Sequence, residues 1–174
     1  MRTSTRRFVF LPATVAAAMA LLGGCSDAVR VSAPTTTGAT SAQCRALRAQ
    51  LPRTLMGRER RSTTPDSDNT AAWGSPAITL RCGVPEPGPM NPASPEYDPH
   101  ETQTVMIDSS GMCWLTQPTS GGGYVFTTVK QQTFVELDVP GAYAGQDYPL
   151  PELGAPLRKT DPASTDPGVA FDCS

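Results

Sequence analysis

Four cysteines, Cys44, Cys82, Cys113 and Cys173, constrain this 174-residue chain more than any other set of its residues. A fifth, Cys25, follows a basic head (Arg2, Arg6, Arg7) and an uncharged, mostly apolar stretch from Phe8 to Leu22. The apolar run is shorter than the ~20 residues of a comfortable transmembrane helix, and its flanks are those of a secretory signal. Residues 1–24 are therefore set apart as a signal peptide. Outside the cytoplasm, an even number of cysteines reads as a disulfide framework. Sequence alone does not choose among the three pairings that four cysteines allow. The expected pairs are Cys44–Cys82 and Cys113–Cys173, which would tie each chain end to a sheet. With no Cys-x-x-Cys and a single histidine, His100, a metal or redox site has little support, and no cofactor is expected.

The segment Leu22-Gly23-Gly24-Cys25 resembles the lipobox of bacterial lipoproteins, in which the cysteine takes a diacylglycerol and becomes the first residue. The expected location is the extracytoplasmic face of the cell membrane, held by acyl chains. Ordinary cleavage after Ala18-Met19-Ala20 is the competing reading, and it leaves Cys25 as an unexplained thiol. Removing the three head arginines from 14 basic and 16 acidic residues leaves 11 against 16, a net charge of −5. That balance argues against strong non-specific binding to nucleic acid or anionic lipid. Arg53, Arg58, Arg60 and Arg61 form one basic cluster. It reads first as a solvated helix end and loop, and second as a contact for an anionic cell-wall polymer.

Composition divides the rest. Residues 25–40, rich in Ser, Thr, Ala and Pro, read as a lipidated flexible tether. Residues 41–174 are enough for a single domain with one core. Ser41 is a plausible N-cap of a helix running to about Leu55, with Cys44, Leu47, Leu51 and Leu55 on one face; Pro52 argues for an end at Gln50 or Leu51. Ala77 to Gly83 alternates as a half-buried strand, with Thr79 and Arg81 outward. Six prolines between Val84 and His100 exclude a regular element there. Thr102–Asp108 with Met112–Gln117, and Tyr124–Lys130 with Thr133–Val139, read as two hairpins. Leu150 to Leu157 reads as a short helix limited by prolines. The expected fold is α+β, an N-terminal helix packed on a small antiparallel sheet of about five strands, with two disulfides.

Several groups occur in a recognisable order: Cys44, Leu47 and Leu51-Pro52; Ala72-Trp73-Gly74-x-Pro76 leading into Leu80-Arg81-Cys82-Gly83-Val84; Trp114; Thr127-Thr128-Val129; Phe134-Val135-Glu136-Leu137; Val139-Pro140 and Tyr143. Over roughly residues 44–157 this resembles the actinobacterial envelope proteins grouped as the domain of unknown function 3515 family. The resemblance implies an envelope role and no assigned activity. Cys113 stands where the resemblance leads one to expect an acidic residue, which supports an additional disulfide with Cys173 in this chain.

The candidate site residues each have two readings. Trp73 would stack on a wall sugar or fill the core. Arg81 would bind a carboxylate or phosphate ligand, or pair with Glu136 on a neighbouring strand. His100, between Asp98 and Glu101, invites a general-base reading, but a proline loop does not hold it to catalytic tolerance. No nucleophile elbow, zinc-protease motif or phosphate loop occurs. The expectation is a non-enzymatic envelope module that binds a cell-wall polymer or a protein, with Arg58, Arg60, Arg61, Arg81 and Trp73 as candidate contacts. The alternative is a wall hydrolase using Asp98 and Glu101 as paired carboxylates.

Overall fold

A computed structural model describes residues 27–98, 105–165 and 173. In chain order the elements are β1 (Val29–Arg30), α1 (Gly38–Gln50), β2 (Thr54–Leu55), β3 (Arg58–Arg61), β4 (Thr63–Thr64), β5 (Thr70–Trp73), β6 (Ile78–Cys82), β7 (Val105–Ser109), β8 (Met112–Pro118), β9 (Tyr124–Thr128), β10 (Val135–Val139) and α2 (Leu150–Thr160). Eight strands form one antiparallel sheet in the order β2-β3-β5-β6-β10-β9-β8-β7, and β1 pairs with β4 in a separate parallel pair. This overturns the expected N-terminal helix on about five strands. There are two helices, the sheet is larger, and a strand precedes the first helix.

The missed strands share a physical cause. β3 reads Arg-Glu-Arg-Arg because it lies towards an edge of the sheet, where charge replaces alternation and discourages pairing with other chains. β5 reads Thr-Ala-Ala-Trp with every residue buried, so it too lacks an alternating pattern. Arg58, Arg60 and Arg61 of the cluster thus lie on a strand, while Arg53 sits in the bend between α1 and β2. Where the sequence does alternate, the elements follow it. Ile78, Leu80 and Cys82 point to the core from β6, as do Val135, Leu137 and Val139 from β10. Both expected hairpins form: β7 with β8 across the Ser110-Gly111 turn, and β9 with β10.

α1 begins at Gly38, with Thr37 rather than Ser41 at the N-cap position, and ends at Gln50 ahead of Pro52. α2 outruns the expected end at Leu157 by three residues, reaching Thr160. Pro151 sits in its first turn, where no intrahelical donor is lost, and the cost of Pro156 inside it is offset by burial of Leu150, Leu153 and Leu157 on one face. The two helices cover one face of the sheet and enclose a core that includes Leu47, Trp73, Leu80, Trp114, Phe126 and Leu137. On the opposite face, the described residues of the proline-rich segment make only a 3₁₀ turn, Gly88–Met90. Met90 packs there against Cys113, Leu115 and Val129.

Residues 27–40 depart from the tether expectation. Val29 N–H donates to Ser62 O at 2.8 Å, Val31 N–H donates to Thr64 O at 3.2 Å, and the Val31 side chain is buried. Low hydrophobicity concealed this because two backbone pairs and one valine suffice to dock the segment on β4. Gly83 makes its approach possible. With φ +82°, a Cβ there would stand 2.3 Å from Thr36 Cγ2.

Both disulfides join the expected pairs. Cys44 on α1 reaches Cys82 on β6 with Cα atoms 5.6 Å apart, and Cys113 on β8 reaches Cys173 at 5.7 Å. Among the described residues no helix is long and apolar enough to cross a membrane.

Candidate functional site: an arginine edge

Sequence position and charge are linked along this chain. From Asp27 to Gly83 there are eight basic residues and four acidic ones; from Val84 to Ser174 there are three basic and twelve acidic. The net charge of −5 therefore hides a polarised molecule, since a net value says nothing of local potential. The fold concentrates much of the basic share: β2 and β3 form one end of the eight-stranded sheet, Asp27 ahead of β1 is bonded to Arg61 of β3, and Arg48 of α1 meets Arg60.

A cleft of about 420 Å³ lies between α1 and β3, lined by Arg45, Arg48, Ala49, Arg60 and Asp68. Spacing of three on the helix sets Arg45 and Arg48 on one face. Arg48 donates to Asp68 at 3.1 Å and to Asp66 at 2.5 Å, and Arg45 donates to Asp68 at 3.2 Å. These bonds hold the Asp68 carboxyl below the usual carboxylate range. Arg60 has no carboxylate partner among the described residues. Its Nη1 donates to the carbonyl of Arg48 at 3.3 Å, and its guanidinium stands 5.8 Å from the centre of the Trp73 ring. Burial, and then the adjacent charge of Arg48, lower its pKa. An arriving anion would relieve that repulsion.

The other arginines divide by strand alternation. Arg58 lies 5.5 Å over the Tyr143 ring and remains exposed. Arg61, on the other side of β3, donates to the Gly74 carbonyl at 2.9 Å and to the carbonyl and carboxylate of Asp27. Arg30 and Arg53 are exposed and form no ion pair among the described residues. Guanidinium groups match phosphate and carboxylate oxygens in a planar fork, so this edge suits anions carrying such groups.

The remaining candidates resolve individually. Trp73 is fully buried and its Nε1 donates to the Pro52 carbonyl at 3.1 Å, leaving no free face to stack on a sugar. Arg81 and Glu136 are direct cross-strand neighbours joined by two bonds, Nε to Oε1 at 2.8 Å and Nη2 to Oε2 at 2.9 Å. Arg81 thus acts inside the fold, and the bond from Glu136 raises its pKa against the effect of burial. On the same strand face, burial first and Glu136 second raise the Asp138 carboxyl. Cys25, His100 and Glu101 lie outside the described residues.

Sequence reasoning missed Arg45 and Arg48. The available signal was six arginines against one glutamate between Ser41 and Thr63. It also missed a polar cleft of about 260 Å³ at the start of α1, lined by Thr35, Thr36, Thr37, Thr40, Gln132 and Thr133 among others. That cleft offers hydroxyls and the ring of Phe134 but no charged group to select a ligand, so the arginine edge is the stronger site.

A buried acid stands behind the polar cleft. Asp161 caps the end of α2 and its Oδ1 accepts the Thr133 N–H at 3.1 Å. Its Oδ2 finds no donor among the described residues, and neither does the buried Oε1 of Gln131, which sits in the bridge to Ala163. Burial pushes the Asp161 carboxyl up to about 7, against the pull of the backbone N–H groups of Thr133 and Gln132.

A model of the family described as proteins of unknown function (DUF3515) matches residues 8–165, and the chain belongs to that family. No curated protein and no solved structure matches the chain.

Proposed function

We propose that this chain is an actinobacterial envelope lipoprotein, exported by its first 24 residues and held on the extracytoplasmic face of the membrane by acyl chains on Cys25. Its domain is a non-enzymatic binding module that engages phosphate- or carboxylate-bearing material of the envelope through the arginine edge. The cleft in which Arg60 stands beside Arg48 without a carboxylate of its own is the observation that carries this reading. Two disulfides in a modest domain support an oxidising compartment. The Leu22-Gly23-Gly24-Cys25 segment supports acylation.

Phosphocellulose tests the binding role without any lipid. At about 50 mM salt, where screening is weak enough to leave such contacts, the protein is expected to be retained despite its negative net charge. The Arg53→Glu/Arg58→Glu variant is expected to pass through. Flow-through of the unaltered protein would refute the reading. Intact mass of membrane-extracted protein tests the anchor separately, by the presence or absence of acyl chains on a chain beginning at Cys25.

A further inference from the structure

We infer that the arginine edge lies against the anionic lipid headgroups of the bilayer that holds the acyl chains, so the domain rests on the membrane by its β1–β3 side. The inference rests on the reading of Cys25 as the anchor. Asp27 stands two residues beyond Cys25, a span of at most ~7 Å even in extended chain. Asp27 is fixed at the edge itself, its carbonyl and carboxylate accepting from Arg61 Nη2 at 2.6 and 2.5 Å. From Val29 onward the chain is bonded into the fold through β4. Acyl chains at Cys25 therefore bring the bilayer surface to this end of the molecule.

The groups waiting there have the right charge. Arg30 on β1, Arg53 ahead of β2 and Arg58 on β3 are exposed and free of carboxylate partners among the described residues. Lipid phosphates fit the guanidinium fork. An acyl anchor joined to a basic patch is the two-signal arrangement that fixes orientation as well as attachment. A wall polymer is the weaker partner for this edge. The side nearest a short anchor faces the bilayer, and polymer contact would need it turned outward.

Phenylglyoxal modification of arginines, mapped by mass spectrometry, tests this on the acylated protein in phosphatidylcholine vesicles with and without phosphatidylglycerol. Arg30, Arg53 and Arg58 are expected to react at least about fivefold more slowly on the anionic vesicles, the factor one arginine gains near such a surface. High salt is expected to restore them. Arg158, which contacts Ser110 at the β7–β8 turn on the opposite edge, is expected to be unaffected. In the Arg53→Glu/Arg58→Glu variant, Arg30 should lose its lipid-dependent protection while circular dichroism is unchanged. Equal rates on both vesicles would overturn the inference. So would protection that appears only with soluble poly(glycerol phosphate), which would assign the edge to a wall polymer. Intact mass of the same sample separates the failures: absent acyl chains refute the anchor and the inference together, whereas acyl chains without protection refute the inference alone.

Discussion

Asp161→Asn should stabilise this protein, and by an amount that depends on pH. Asp161 is 2% exposed, and its carboxyl titrates near 7 in the fold, against ~3.9 in an unfolded chain. A folded pKa raised above the unfolded one means that the native state holds its proton longer. Below about pH 3 both states are protonated and the group is neutral to stability. As pH rises from about 3 to 7, the unfolded chain ionises first and the fold loses stability. Above 7 the full difference of about three pKa units applies, an upper estimate of ~4 kcal/mol. Asparagine keeps an oxygen for the Thr133 N–H, does not ionise, and replaces the donorless Oδ2 by an amide NH2 in a region where Gln131 Oε1 also lacks a donor. Urea unfolding with both disulfides intact, at pH 4.5, 6 and 7.5, measures the effect. The variant is expected to exceed the parent by about 1 kcal/mol at pH 4.5, where the unfolded acid is already mostly ionised, and by ~2–4 kcal/mol at pH 7.5. Because every other carboxylate is common to both proteins, only the difference between the two curves counts. A constant difference across the three pH values would refute the reasoning, as would a variant less stable at pH 7.5.

Two further outcomes follow from close contacts. Gly83→Ala combines a positive φ with a Cβ 2.3 Å from Thr36 Cγ2, and should cost ~2–3 kcal/mol; limited proteolysis should then cut within residues 31–37, whereas cleavage unchanged from the parent would show that the segment is held some other way. Arg81→Ala leaves Glu136 half-buried and unpaired, and should cost ~1–3 kcal/mol, more than the double variant Arg81→Leu/Glu136→Leu; equal losses in thermal unfolding would mean the pair contributes nothing beyond its packing.

Much of the central sheet was legible because its strands face core on one side and a polar layer on the other. Alternation in Ile78–Cys82 and Val135–Val139 placed Arg81 and Glu136 outward together, and the structure pairs them. The edge was illegible for the opposite reason. Arg58–Arg61 has no apolar member to betray a strand, and Val29–Arg30 is too short to carry any periodicity. Trp73 was readable as core from its type but not as a member of an all-buried strand, since Thr70, Ala71 and Ala72 look like loop residues until a neighbour covers them. The site was hidden by averaging. Summed over the chain, charge argued against anionic surfaces, whereas the placement of α1 beside β3 sets Arg45 and Arg48 against Arg60.

The parallel pairing of β1 with β4 also bears on mechanical load. A pull on the N-terminal end acts along β1 and is resisted first by the bonds from Val29 and Val31 to Ser62 and Thr64. If those yield, tension peels the segment ahead of α1 and then the first turns of that helix. It stops at Cys44, which is covalently fixed to Cys82 in the middle of the sheet. The 17 residues from Asp27 to Gln43 extend to ~60 Å. Force from that end therefore draws out a leash of set length, while the strands beyond Cys82 stay folded.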